Sequence, residues 1–131
     1  RAAQASLTEA SPEVQTAVPR VYKSFAWRGY TVNYREERAA DGGAAEAEAG
    51  SRTAVLFLHG FGGSVNHWRK NVGPVCGAGY DVFLLDLLGF GASEKPPLDY
   101  SIELWQELVV DFVRHVGCAR WVIVGNSIGS L

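Results

Sequence analysis

The sequence has no methionine and only two cysteines, Cys76 and Cys118, which lie far apart and form no C-x-x-C pair. A disulfide framework or zinc site is therefore not expected, and both thiols are predicted to be free and buried. No apolar run approaches the roughly 20 residues that span a bilayer, because Asp86 interrupts the most hydrophobic stretch, YDVFLLDLLGF. The formal net charge of −2 gives no electrostatic reason to expect nucleic acid or an anionic membrane surface as a partner.

The two ends of the chain suggest a piece of a longer protein. The chain begins with Arg1 and stops just after a predicted strand-to-turn junction, so we interpret it as a fragment. Residues 1–20 are rich in Ala, Ser, Thr and Pro, which predicts a disordered tail or the remnant of a targeting peptide. Residues 21–131 are expected to form one domain, with the low-complexity stretch 39–50, AADGGAAEAEAG, as a long surface loop.

The distribution of apolar residues predicts five strands. Alternation within 21–38 indicates two antiparallel strands joined near Trp27–Tyr30. Continuous apolar runs at 53–60, 80–88 and 120–126 are typical of strands buried on both faces. Helical segments between these runs would make βαβ units, so we expect an α/β fold with a mostly parallel sheet and flanking helices.

Two serines mark the starts of helices. Ser64 precedes apolar residues at helical spacing and is predicted to be an N-cap. Ser101 begins a clearer helix, which should end at Gly117. The apolar stripe of that helix consists of Trp105, Leu108, Val109, Phe112, Val113 and Val116.

Each of the three apolar runs ends in a glycine-rich turn, so nucleotide binding must be considered. GFGGSV, GFGASE and GNSIGS all depart from the G-x-G-x-x-G fingerprint, and none has the G-x-x-x-x-G-K-[ST] pattern of a P-loop. We therefore predict no nucleotide cofactor, and neither a cofactor nor a metal of any other kind.

The last turn, Gly125-Asn126-Ser127-Ile128-Gly129, matches the G-x-S-x-G pattern directly after an apolar strand. A sharp strand-to-helix turn strains the central residue, and flanking glycines let neighbouring backbone approach while the hydroxyl stands clear. Ser127 is thus predicted to be a nucleophile. The alternative is a simple N-cap, a role that serine often has.

The turn after the first buried strand, His59-Gly60-Phe61-Gly62-Gly63, is the predicted partner of Ser127. Acyl transfer develops a negative oxygen, and the backbone N–H groups of Ile128 and Phe61 are the expected donors to it. Gly60 and Gly62 would let this backbone approach the substrate, although a plain tight turn is the alternative. Asp86, after the second buried strand, is predicted to hold its own turn rather than to act in catalysis.

The segments VLFLHGFGGSVNHW, DLLGFGASEKP and VGNSIGSL together resemble the N-terminal half of an α/β-hydrolase-fold protein. WRGYTVNY and NHWRKNV are most similar to plant and algal plastid hydrolases of the chlorophyll dephytylase and pheophytinase type. The resemblance implies Ser127 as nucleophile, Ile128 and Phe61 as oxyanion-hole positions, and Gly125 and Gly129 as elbow glycines. It also implies a chloroplast location; otherwise the cytoplasm is expected.

The chain departs from the family in one respect. The family order is serine, then acid, then histidine, whereas His59, His67 and His115 all precede Ser127. None of the three is expected to be the base, and the acid and the base should both lie beyond Leu131. The chain as written is therefore expected to be inert.

For the full-length protein, the sequence predicts a serine hydrolase acting on a hydrophobic carboxylic ester, such as a phytyl ester of a tetrapyrrole. Serine at the elbow argues against epoxide hydrolases and haloalkane dehalogenases, which use aspartate there. A carbon–carbon bond hydrolase of the same fold remains an alternative, as does a non-catalytic receptor or pseudoenzyme. The oligomeric state is not predictable from the sequence.

Overall fold

The computed structural model describes residues 21–40 and 53–130, which form one mixed sheet with helices on both faces. The elements are β1 (Tyr22–Trp27), β2 (Tyr30–Glu37), β3 (Thr53–Leu58), α1 (Val72–Gly77), β4 (Asp81–Leu85), α2 (Ile102–Val116) and β5 (Arg120–Gly125), with 3-10 helices at Val65–Trp68 and Ser127–Ser130. The strand order is β1-β2-β4-β3-β5, with β3 parallel to both β4 and β5 and with antiparallel pairing from β1 to β2 and from β2 to β4. The α/β class predicted from the sequence is confirmed.

The first two strands form the predicted hairpin. Arg28 and Gly29 connect them, with φ values of 49° and 82°. Two successive residues with positive φ are the pattern of the tight turn whose twist matches that of paired strands. This confirms the junction expected near Trp27–Tyr30.

The central strands β3 and β4 are buried on both faces, as their continuous apolar sequences predict. On one face, their side chains pack with α2 in a core that contains Leu108 and Phe112. On the other, they pack with Val65 and Val72 from the short helical segments after β3. The sheet therefore lies between two apolar cores.

Helix α2 has the predicted ends. The Ser101 hydroxyl accepts a hydrogen bond from the Leu104 backbone N–H, and Gly117 ends the helix in the left-handed region with φ 74°. The apolar stripe faces the core as expected. In the described part of the chain, no helix is long and apolar enough to cross a bilayer.

Three expectations need correction. Strand β5 is not buried: Val122 and Ile123 are 46% and 51% exposed. The reason is that β3 is the only sheet neighbour of β5 among the described residues. The helix expected after Ser64 consists of the 3-10 helix Val65–Trp68 and the separate α1, although Ser64 does cap the first piece.

The third correction concerns the thiols. Both are free as predicted but only partly buried, and burial raises the pKa of each. The predicted tail 1–20 and most of the predicted loop 39–50 lie outside the described residues.

Candidate active site

Three turns meet at one edge of the sheet. Strands β3, β4 and β5 are parallel, so their carboxyl ends point the same way. The turns that follow are the oxyanion loop (residues 59–63), the acid turn (residues 86–93) and the elbow (residues 125–129). Such an edge is where ligands bind in open α/β sheets.

Ser127 has strained backbone geometry at the centre of the elbow. Its φ is 54°, in the left-handed region that residues other than glycine rarely adopt, at a cost of about 1–3 kcal/mol. The residue is exposed, and it opens the 3-10 helix Ser127–Ser130. The turn therefore holds the Ser127 side chain at the surface, and its role as a nucleophile stays a prediction.

The two elbow glycines are required by close backbone contacts rather than by unusual φ angles. A Cβ on Gly125 would lie 2.0 Å from the carbonyl oxygen of Gly129. A Cβ on Gly129 would lie 2.4 Å from the carbonyl oxygen of Leu58, at the end of β3. The elbow therefore folds onto itself and onto the neighbouring strand only because neither position has a side chain.

The oxyanion loop lies directly against Ser127. A Cβ on Gly60 would be 3.1 Å from the Ser127 Cβ and 3.2 Å from the Asn126 carbonyl oxygen, so the next backbone N–H, that of Phe61, is beside the elbow. Among the hydrogen bonds of the described residues, none has the backbone N–H of Phe61 or Ile128 as donor. Both groups are thus available to a ligand, although their chemical role stays a prediction.

Gly62 lies in the left-handed region, and its expected part in the approach to substrate stays a prediction. Its φ is 71°, which favours glycine in this turn, and a Cβ there would meet nothing within 4 Å. The adjacent Phe61 side chain is 78% exposed, and its ring lies 5.3 Å from that of Phe90 in the acid turn. An aromatic surface therefore borders the elbow.

His59 is a structural residue. It is completely buried, its Nδ1–H donates to the Gly60 carbonyl oxygen, and its Nε2 accepts from the Leu87 backbone N–H at 3.0 Å. Burial lowers the pKa of His59 and outweighs the hydrogen bond to Gly60 and the charge of Asp86, which raise it. A neutral imidazole with both nitrogens engaged is not available as a base for Ser127.

Asp86 holds the acid turn, as predicted. Its carboxylate accepts from the backbone N–H groups of Val65 at 2.7 Å and Ala92 at 2.9 Å. It also accepts from the side-chain amide of Asn33 on β2 at 2.8 Å, a contact that no pattern in the sequence indicated. Asp86 therefore joins the start of the first 3-10 helix, the acid turn and the hairpin.

The other two histidines do not contact the hydroxyl. His67 Nε2 accepts from the Asn126 side-chain amide at 3.1 Å, while His115, near the end of α2, packs against Phe25 with ring centroids 4.7 Å apart. Among the described residues, no imidazole or carboxylate forms a hydrogen bond with Ser127. The described residues also contain no cluster of metal-ligating side chains.

An apolar cavity that the sequence did not indicate lies behind the elbow. It has a volume of about 660 Å³ and is bounded by α2, β5 and residues 128–130, and Ser127 is not among its lining residues. The cavity is therefore not in front of the hydroxyl.

Comparisons with known proteins agree with this geometry. The sequence pattern of the α/β hydrolase fold family matches residues 53–131. The chain is 36% identical over 100 residues to 2-hydroxy-6-oxo-6-(2'-aminophenyl)hexa-2,4-dienoic acid hydrolase of Metapseudomonas resinovorans, covering 71% of this chain and 34% of that protein. It is 32% identical over 83 residues to human 1-acylglycerol-3-phosphate O-acyltransferase ABHD5, covering 60% and 24% of the two chains.

A solved structure of the same fold superposes on the chain. The haloalkane dehalogenase DbeA-M1 loop variant from Bradyrhizobium elkanii superposes with a TM-score of 0.69 at 27% identity, covering 83% of this chain and 33% of that one. The chain thus spans between 24% and 34% of the lengths of these relatives. With a family match over the three parallel strands and their turns, the chain belongs to the α/β hydrolase fold family.

Proposed function

We propose that the full-length protein is a serine hydrolase that cleaves a carboxylic ester through an acyl-enzyme on Ser127. The observation that carries the proposal is the φ of 54° at an exposed Ser127, placed against the oxyanion loop. Related hydrolases of this fold support hydrolysis in general.

In the proposed reaction the Ser127 oxygen attacks the ester carbonyl carbon as its proton passes to a base. The carbonyl oxygen becomes negative and accepts hydrogen bonds from the Phe61 and Ile128 backbone N–H groups. The carbon–oxygen bond then breaks, the alcohol leaves with the proton, and water later releases the acid from Ser127. The base and its orienting acid are proposed to lie outside the described residues.

The proposed substrate is an ester with a large hydrophobic group, with a phytyl-tetrapyrrole ester in a plastid as the specific candidate. Support comes from the exposed Phe61 ring and its contact with Phe90, whose ring lies 5.8 Å from that of Trp105. A row of aromatic rings beside a nucleophile would bind an apolar chain in preference to a charged group.

A fluorophosphonate probe on the full-length protein tests the nucleophile. We expect stoichiometric labelling that Ser127→Ala abolishes and that Ser93→Ala leaves intact, since Ser93 is buried in the acid turn with its hydroxyl engaged. Labelling that persists in Ser127→Ala would contradict the proposal. A folded wild-type protein that is not labelled would also contradict it and would favour a receptor or pseudoenzyme.

One relative favours a second candidate, carbon–carbon bond hydrolysis, because the dienoic acid hydrolase from Metapseudomonas resinovorans is 36% identical over 100 residues. Product analysis with a phytyl-tetrapyrrole ester and with a dienoic diketone separates the two. Release of phytol alone supports the ester hydrolase, and cleavage of the diketone alone supports the rival.

A further inference from the structure

A side-chain hydrogen bond connects the elbow to the first 3-10 helix. The Asn126 Nδ2 donates to His67 Nε2 at 3.1 Å, which joins residues 59 positions apart in the sequence. Because the amide nitrogen is the donor, the imidazole Nε2 must carry a lone pair and its proton must be on Nδ1. We refer to this contact as the His67–Asn126 bridge.

His67 is attached to a well-anchored element. Its helix begins at Val65, whose backbone N–H donates to the buried Asp86 carboxylate at 2.7 Å. The His67 ring packs edge-on against Trp68 with centroids 4.9 Å apart, and Trp68 in turn packs against Phe57 of β3 at the same spacing. The acceptor end of the bridge is therefore fixed relative to the sheet.

Asn126 immediately precedes the strained Ser127 and is held at three points. Its backbone N–H donates to the Leu58 carbonyl oxygen at 3.1 Å, and its own carbonyl oxygen accepts from Gly129 at 2.9 Å. The bridge to His67 supplies the third. A residue in the left-handed region keeps that conformation only while its surroundings over-determine it, and these contacts fix the peptide on its amino side.

We propose that His67 is a positioning residue that holds the Ser127 hydroxyl in its reactive orientation through Asn126. The inference rests on the proposed serine hydrolase and deepens it. His67 does not contact the hydroxyl and takes no part in proton transfer. Its contribution is to keep the elbow still, so its loss should slow the attack of Ser127 without weakening substrate binding.

The test is the rate of fluorophosphonate labelling and the steady-state kinetics of ester hydrolysis by the full-length protein. Removal of one hydrogen bond of this kind should lower both the labelling rate and kcat about tenfold in His67→Ala, with KM changed less than about twofold. Asn126→Ala breaks the same bond from the other side and should give a similar loss. His67→Gln keeps a side-chain acceptor and should recover most of the rate.

The double variant His67→Ala/Asn126→Ala should be no slower than either single variant, because the two share one contact. His115→Ala is the matched control, since His115 is also exposed but is near the end of α2, opposite the elbow edge of the sheet. Melting temperatures of all variants show whether the fold persists. If His67→Ala or Asn126→Ala melts far below wild type, it is replaced in the comparison by His67→Phe, which keeps a ring but no acceptor, or by Asn126→Ser.

A labelling rate within about twofold of wild type in His67→Ala, or losses that multiply in the double variant, would overturn the inference. Equal losses in His67→Gln and His67→Ala would overturn it as well. Failure of the proposed function gives a different result, because Ser127→Ala would then leave labelling and hydrolysis unchanged, whatever the His67 variants do.

Discussion

Two serines in similar sequence contexts have opposite environments in this protein. Ser93 and Ser127 each follow an apolar strand and lie in a glycine-rich turn at the same edge of the sheet. Ser93 is 2% exposed, and its hydroxyl accepts from the Asn33 backbone N–H and donates to the Asp86 carbonyl oxygen. Ser127 is exposed, has φ 54°, and forms no side-chain hydrogen bond with any other described residue.

The difference arises from what holds each turn. The acid turn contains Asp86, whose buried carboxylate accepts hydrogen bonds from the backbone N–H groups of Val65 and Ala92 and so holds the turn against the core. The elbow has no such acid and is shaped by backbone contacts at Gly125 and Gly129, while the Ser127 side chain stays exposed. In the acid turn, internal hydrogen bonds engage the serine hydroxyl and bury it. In the elbow, which glycines shape, the serine hydroxyl stays exposed and without such bonds to the described residues.

The largest expected effect is the loss of the carboxylate in the acid turn. Asp86→Ala leaves the Val65, Ala92 and Asn33 donors without their acceptor in a buried site. We expect a loss of about 3–5 kcal/mol in the free energy of unfolding, measured by urea denaturation. Asp86→Asn, which keeps one acceptor oxygen, should lose less, and exposed Asp99→Ala should change little. A loss below about 1 kcal/mol for Asp86→Ala would refute the contrast between the two turns.

The next effect concerns the glycines of the elbow. Gly125→Ala places a Cβ 2.0 Å from a backbone oxygen, so the elbow must shift. Because a displacement of about 1 Å can cost about 100-fold in rate, we expect fluorophosphonate labelling to fall by about that factor. Gly77→Ala is the control, since a Cβ there meets nothing within 4 Å and φ is not positive. Normal labelling of Gly125→Ala would show that Ser127 reactivity does not depend on this close approach.

A smaller effect is expected at Ser93. Ser93→Ala removes one acceptor and one donor from the buried network, so the free energy of unfolding should fall by about 1–3 kcal/mol. The exposed Ser24→Ala on β1 should stay within about 0.5 kcal/mol of wild type. If Ser93→Ala proved as stable as Ser24→Ala, the internal bonds of the acid turn would not be what distinguishes the two serines.

The sequence was sufficient to predict much of the fold, because the relevant signals are local. Ser101 and Gly117 mark the ends of α2, and the apolar runs give the positions of β3 and β4. The sequence failed at β5, whose apolar run resembles that of β4, because the number of neighbours beside a strand is a property of the whole sheet.

The site was predictable to a similar degree. The G-x-S-x-G pattern located the elbow, and the crowding of Gly125 against Gly129 lies within its five residues, whereas the contact of Gly129 with Leu58 is long-range. The amide of Asn33 on Asp86 and the His67–Asn126 bridge were not predictable, because each joins residues more than 50 positions apart. Long-range polar contacts of this kind leave no periodic signal.

The smallest expected effect is a dependence of the free energy of unfolding on pH. It arises from His59, which contacts the acid turn and does not bond to the elbow. His59 accepts from Leu87 in that turn, and burial holds its pKa below the ordinary value of 6.5. Below about pH 6.5 the unfolded chain therefore binds a proton at His59 that the folded chain does not, so stability falls as the pH is lowered, and it is fully present above that value. Urea denaturation between about pH 5 and pH 7.5 should show a steeper decline for wild type than for His59→Gln, in which this proton uptake is absent. Parallel curves would mean that the folded protein takes up a proton at His59 as readily as the unfolded chain does, which is incompatible with a buried ring that donates from Nδ1 and accepts at Nε2.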